Sequence, residues 1–282
     1  MEDMLRINYN LINSLITADK KKIFIKNNGI NYILQNVSNI STLEIIYKVI
    51  KEQKITNQFY EIILNNRNHM VTRYKNKMYC LLKINNNIFR EQEDINLYKI
   101  NNYKEYNKYT INWISCWERK CDLLTNTLYQ NSCSLEIKEV ADYYLGLTEI
   151  AIQYLKNTNY QKEYGSKELY ISRRRQDKEN NRNPLDLVID RKERNLAEKI
   201  KNDFFYKTNT KYTIEKIQQL IETEELDKNI VIARLIFPTY FYDIIDKYID
   251  EENIENDIKN ITKKSLEYET MLKQLFDNKK TR

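Results

Sequence analysis

The sequence predicts an α+β protein of two lobes, a small antiparallel-sheet lobe over residues 1–100 and a larger helical lobe over 101–282. Two patterns carry that expectation. Between residues 59 and 84 apolar runs alternate with Asn-rich turns, as in hairpins. Beyond residue 100 apolar residues recur at helical spacing almost to the end. With 282 residues, there is chain enough to bury a core in each lobe.

The elements follow in order. "ISTLEIIYKVIKEQ" reads as a short amphipathic helix: Ser41 and Glu44 have capping-box spacing, and Leu43, Ile46, Tyr47 and Ile50 share one face. "QFYEIILNNRNHMVTRYKNKMYCLLKIN" reads as three antiparallel strands near 59–64, 69–74 and 77–84, with "NNRN" and "KNK" supplying the turns. The last strand is apolar on both faces, which marks it as central, and Lys83 lies near its end. Next, Trp113, Trp117, Cys121 and Leu124 form a helical stripe, both tryptophans being read as core. Ser134 is placed to cap a further helix whose Val140, Tyr144, Leu147, Ala151 and Tyr154 face inward. Two short strands then flank a basic, Asn-rich loop in "LYISRRRQDKENNRNPLDLVID". Five helical segments complete the chain, and Pro238 separates two of them because proline is best tolerated in a first helical turn.

Composition excludes several classes. No window approaches the roughly 18 apolar residues of a membrane span, and the acidic start MEDML lacks a signal-peptide pattern, so a cytoplasmic protein is expected. The net charge of +6 is spread along the chain, which argues against nucleic acid as the partner. Cys80, Cys116, Cys121 and Cys133 have no CxxC spacing and His69 is the sole histidine, so buried free thiols are expected and no zinc site. His69 itself reads as a turn residue. Few glycines and prolines beside plentiful Asn, Lys, Ile and Tyr suggest coding bias from an AT-rich genome.

The basic loop carries the chemistry. In "ISRRR", Arg173 and Arg175 stand two apart; Asn180 follows Arg175 by five residues, and "LVID" ends on Asp190. This arrangement resembles the catalytic loop of aminoglycoside phosphotransferases and protein kinases, where H-x-D is followed by a metal-holding Asn and then by a strand ending in a metal-binding Asp. On that resemblance Arg173 takes the His position and Arg175 the base position. Asn180 and Asp190 take the metal-holding positions, and Lys83 takes that of the third-strand lysine that contacts nucleotide phosphates. "DYYLGLTEIAIQYL", "NPLDLVIDRKERNLAEKI" and "RLIFPTYFYDII" are similar to segments of the kinase-like family associated with bacterial spore coats. The implied fold is the two-lobed protein-kinase-like one.

The departures matter equally. Arginine, with a pKa above about 12, cannot act as a general base, and Arg175 puts a cation where magnesium would bind. "NNRN" stands in place of a glycine-rich loop. No catalytic residue is therefore assigned. Lys83, Asn180 and Asp190 are expected to be a vestigial nucleotide/Mg site, with no resident ATP or Mg²⁺. The expected function is that of a non-catalytic scaffold or interaction protein in spore-coat assembly, with protein partners. Plainer roles stand beside these: Lys83 as a strand-end lysine reaching to solvent, Asp190 as the N-cap of the next helix, and Asn180 as one of many asparagines. Arg173, Arg174 and Arg175 are either a solvated turn or an anion-binding surface. The alternatives are an active phosphotransferase with a relocated acid, Asp177 or Asp186, and a basic helical nucleic-acid-binding protein.

Overall fold

A computed structural model describes residues 1–19, 22–56, 59–84, 98–100, 106, 110–130, 135–158, 168–174, 182–206, 213–248 and 255–277. The chain divides into two compact units, Met1–Ile100 with Arg173–Ile189, and Asn101–Ser172 with Asp190–Arg282. The segment 173–189, assigned by its place in the sequence to the helical lobe, clusters instead with the N-terminal residues.

The first unit is a sheet covered on both faces. Helix α1 (Glu2–Tyr9) ends on Asn10, which adopts a left-handed conformation (φ 56°) and so closes the helix. Strands β1 (Leu15–Asp19), β2 (Lys22–Asn27) and β3 (Ile30–Asn36) follow, then α2 (Ile40–Glu52), β4 (Glu61–Ile63), β5 (Thr72–Tyr74) and β6 (Lys77–Ile84). The sheet order is β1-β2-β3-β6-β4, with β5 also paired to β6. Three of these strands, β1 to β3, lie in a region for which the sequence reading named no element. Their signal was the Asn28-Gly29 pair between two apolar runs: both residues have positive φ, 47° and 77°, as a two-residue hairpin turn requires. Lys75 and Asn76 turn the β5–β6 hairpin in the same way, at 45° and 61°.

Period-two alternation decides which helix each strand residue meets. Ile25, Leu34 and Leu81 pack with Met4, Leu5 and Tyr9 of α1. Ile33, Cys80 and Leu82 pack with Leu43 of α2 on the opposite face. Central β6 therefore reads as a continuous apolar run, and Cys80, Leu81 and Leu82 are fully buried. Each such leucine contributes about 1.5–3 kcal/mol. The cap of α2 is Asn39, whose side chain accepts the Thr42 N–H at 3.0 Å; Ser41 lies inside the helix.

The second unit is helical: α3 (Trp113–Gln130), α4 (Leu135–Lys156), α5 (Lys192–Tyr206), α6 (Ile214–Thr223), α7 (Lys228–Ile236), α8 (Thr239–Tyr248) and α9 (Glu255–Asp277). The short strands β7 (Tyr98–Lys99), β8 (Tyr170–Arg173) and β9 (Leu187–Asp190) complete the described elements, and the unit boundaries fall inside β8 and β9. Helix α7 is the centre: every residue from Ile230 to Ile236 is buried, which is why it lacks a polar stripe. Asp227 caps it by accepting the Asn229 and Ile230 amides at 2.9 and 3.3 Å. Pro238 separates α7 from α8 as its sequence position predicts. The Trp117 ring stacks on Phe237 at 4.3 Å, and Phe237 on Tyr242 at 5.3 Å. Among the described residues, no helix is long and apolar enough to cross a membrane.

Candidate functional site

The sequence-derived residues fall in both units. In the first, Lys83 stands on the sixth strand, not the third: β3 is "INYILQN" and holds no lysine. It sits directly across from Glu61 in the β4–β6 ladder, and its Nζ lies 3.4 Å from a Glu61 carboxylate oxygen. Similarly, "NNRN" does not occupy a position between β1 and β2. It forms the β4–β5 turn, where the Asn65 side chain accepts the backbone N–H groups of Arg67 and His69, both at 3.0 Å. His69 is thus an exposed turn residue. The β1–β2 connection is Lys20-Lys21, outside the described residues.

The loop's ends are anchored within the same unit. Arg174 is exposed and its amide donates to the Asp186 carbonyl at 2.6 Å. The Arg182 carbonyl accepts from the Tyr60 amide at 2.8 Å. Asn183 is 1% exposed and serves two partners. Its Oδ1 accepts the Leu185 amide at 3.0 Å, starting a 3-10 turn (Pro184–Asp186), and its Nδ2 donates to Gln35 Oε1 of β3 at 2.8 Å. Asn183 was not singled out in the sequence; its Asn-Pro dipeptide is the signal that marks it as a turn-starter. Arg175, Asn180 and the alternative acid Asp177 lie outside the described residues, as do the side chain of Arg173, Cys133 and the capping candidate Ser134.

In the helical unit Asp190 ends β9 and is 1% exposed. Its carboxylate is fully engaged. Arg234 Nη2, from buried α7, donates to both oxygens at 3.1 Å. Trp113 Nε1, from the first turn of α3, donates to Oδ2 at 2.6 Å. The Arg191 amide donates to Oδ1 at 2.8 Å, and Arg194 Nε lies 3.6 Å from Oδ2. The carboxylate thus also takes the amide of Arg191, just before α5. The guanidinium carbons of Arg194 and Arg234 lie 5.3 and 4.8 Å from the Trp113 ring centre, within cation–π range. Trp113, expected to be core, is therefore also a polar contributor to this centre.

Neighbouring charges are equally committed. Arg191 grips Glu193 with two contacts, 2.7 and 3.3 Å, and Glu193 accepts the Asp227 amide at 3.2 Å. Lys201 of α5 donates to the Arg234 and Phe237 carbonyls at 2.9 and 3.3 Å, and to Thr239 Oγ1 at 2.6 Å. It also pairs with Glu198 at 2.9 Å. A cation here satisfies carbonyls that the end of α7 leaves without helical partners.

Magnesium requires near-octahedral oxygen coordination, and kinase-like chemistry would route it through Asp190. Here both Asp190 oxygens accept N–H donors, and two guanidiniums that stay charged lie against them. That donor set does not fit a magnesium ion. Among the described residues, no group of three or more His, Cys, Asp or Glu side chains could hold a metal.

Architecture gives the class. The fold is matched over 99% of this chain by an aminoglycoside phosphotransferase from Alicyclobacillus acidocaldarius subsp. acidocaldarius DSM 446, covering 96% of that protein at a TM-score of 0.57 and 8% identity. Spectinomycin phosphotransferase APH(9)-Ia, solved with ADP and spectinomycin, matches 93% of this chain and 91% of its own at 0.53 and 10% identity. The chain therefore has the kinase-like phosphotransferase fold. Over residues 2–275 it matches the family described as "Spore coat putative kinase YutH", and it belongs to that family. It is 26% identical over 156 residues to the endospore coat-associated protein YutH of Bacillus subtilis strain 168, a match spanning 48% of this chain and 46% of that relative.

Proposed function

We propose that this chain is a non-catalytic, kinase-like scaffold or interaction protein of spore-coat assembly, with other coat proteins as its partners. The engagement of Asp190 by Arg234, Trp113, Arg191 and Arg194 carries the reading. A carboxylate that neutralises internal arginines is not available to hold magnesium beside a nucleotide. Arginine at position 175, where the resemblance puts the base, supports the same reading. Asn180 and Asp190 then keep the sequence positions of the metal-holding pair without its work, and β3 has no lysine to contact nucleotide phosphates. Arg173, Arg174 and Arg175 offer their charge to an anionic partner surface in place of a substrate phosphate. Coat association comes from the family and the curated relative.

The test measures nucleotide binding and phosphotransfer by the purified chain with ATP and Mg²⁺, alongside its fractionation in sporulating cells. Expected are no turnover and recovery with the coat. Phosphotransfer by the parent would overturn the non-catalytic reading, and its loss in an Asp186→Asn variant that melts like the parent would assign a relocated acid. Absence from the coat fraction would overturn the assembly role.

A further inference from the structure

An open groove of about 790 Å³ runs between α3 and α4 of the helical unit, apart from the Asp190 centre. Its lining combines Asp122 and Cys121 of α3 with Gly146, Glu149 and Ile150 of α4. Ile150 is 54% exposed, a large apolar side chain facing solvent beside the opening. A Cβ added at Gly146 would meet nothing within 4 Å, so the middle of α4 leaves room for an incoming side chain.

The charge of the groove is one-sided. Glu118, on the same wall, is paired with Lys156 at 2.7 Å. Among the described residues, neither Asp122 nor Glu149 has a cation partner, and both are exposed. At Cys121 burial, joined by the fields of Glu149 and Asp122 and opposed by the Tyr242 hydrogen bond, pushes the thiol above the ordinary value.

We infer that this groove docks an amphipathic helical segment of a partner protein, with an apolar side chain entering beside Gly146 and Ile150 and flanking lysines or arginines meeting Asp122 and Glu149. An apolar anchor supplies affinity in helix-in-groove recognition. The unpaired carboxylates supply selectivity, since a like-charged segment is rejected. The inference rests on the chain being an interaction protein, but it concerns this groove alone. Phosphotransfer assays do not test it, and its failure leaves the reading of Asp190 untouched.

The experiment is a display selection on the full chain with a library of amphipathic helical peptides varied in flanking charge, followed by anisotropy titrations with the enriched peptides. Enrichment of lysine or arginine beside one apolar anchor is expected. Asp122→Lys with Glu149→Lys should weaken binding about tenfold. Gly146→Leu, which fills the opening, should abolish it, whereas Glu215→Lys on α6 should leave it unchanged. Melting curves matching the parent keep loss of binding distinct from loss of fold. Enrichment without basic residues, or equal binding by parent and groove variants, would overturn the inference. Self-association removed by Gly146→Leu would do so too, by assigning the groove to a second copy.

Discussion

A single nitrogen of Arg234, Nη2, lies 3.1 Å from each oxygen of Asp190, although the two residues are 44 positions apart. Both are almost wholly buried, at 2% and 1% exposure. Taking a carboxylate and a guanidinium out of water costs several kcal/mol per ion, which only close geometry and further hydrogen bonds offset. Trp113 and the Arg191 amide supply those bonds.

Asp190→Asn should therefore destabilise strongly. It removes the negative charge while Arg234 and Arg194 remain buried beside it, at a cost of about 3–5 kcal/mol. Urea unfolding of parent and variant measures this. Magnesium should leave the parent's melting temperature unchanged, because a ligand raises it only by binding the native state.

Asn183→Ala should cost about 1–3 kcal/mol, since Gln35 and the Leu185 amide each lose a buried partner. Faster hydrogen exchange at Leu185 and its neighbours is the local readout. An unchanged rate would show that the 3-10 turn is held by something other than this side chain.

Lys83→Ala should change stability by less than about 1 kcal/mol. Its contact with Glu61 is a partly exposed cross-strand pair, with side chains 34% and 53% exposed. Glu61→Ala should have an effect of the same size, and the double variant should cost little more than either one. A larger loss would give Lys83 a role beyond this pair.

Cys80 makes stability fall in alkali. Burial pushes its thiol from 9.0 up to about 12, so the unfolded chain gives up this proton first. Its contribution is fully present below about pH 9, declines as pH rises, and is gone by about 12. Urea midpoints across that window should fall less steeply for Cys80→Ala than for the parent.

Much of the fold was legible because its signals are local or repeat at short intervals. The alternation around "KNK" yielded the β5–β6 hairpin and the central position of β6, and the tryptophan spacing yielded α3. Strands β1 to β3 were missed although Asn28-Gly29 marked their turn. Counted from residue 59, Lys83 falls on a third strand; β1 to β3 before it make that strand the sixth. The exchange of Asn39 for Ser41 at the α2 cap has a simpler origin: both types cap well, and only backbone geometry chooses between neighbours.

By itself, then, the sequence determined the helices from α2 onward and strands β4, β5, β6, β8 and β9, the resemblance to a spore-coat kinase-like family, and an arginine where a base would stand. It also marked Asp190, at the end of an apolar strand. What that carboxylate does was decided by tertiary structure. Trp113 lies 77 residues before it and Arg234 lies 44 after, and no spacing rule links either to Asp190. The same aspartate could bind a metal ion or neutralise arginines. The choice rests on which cations the folded chain brings within about 3 Å, where low dielectric makes each of them count.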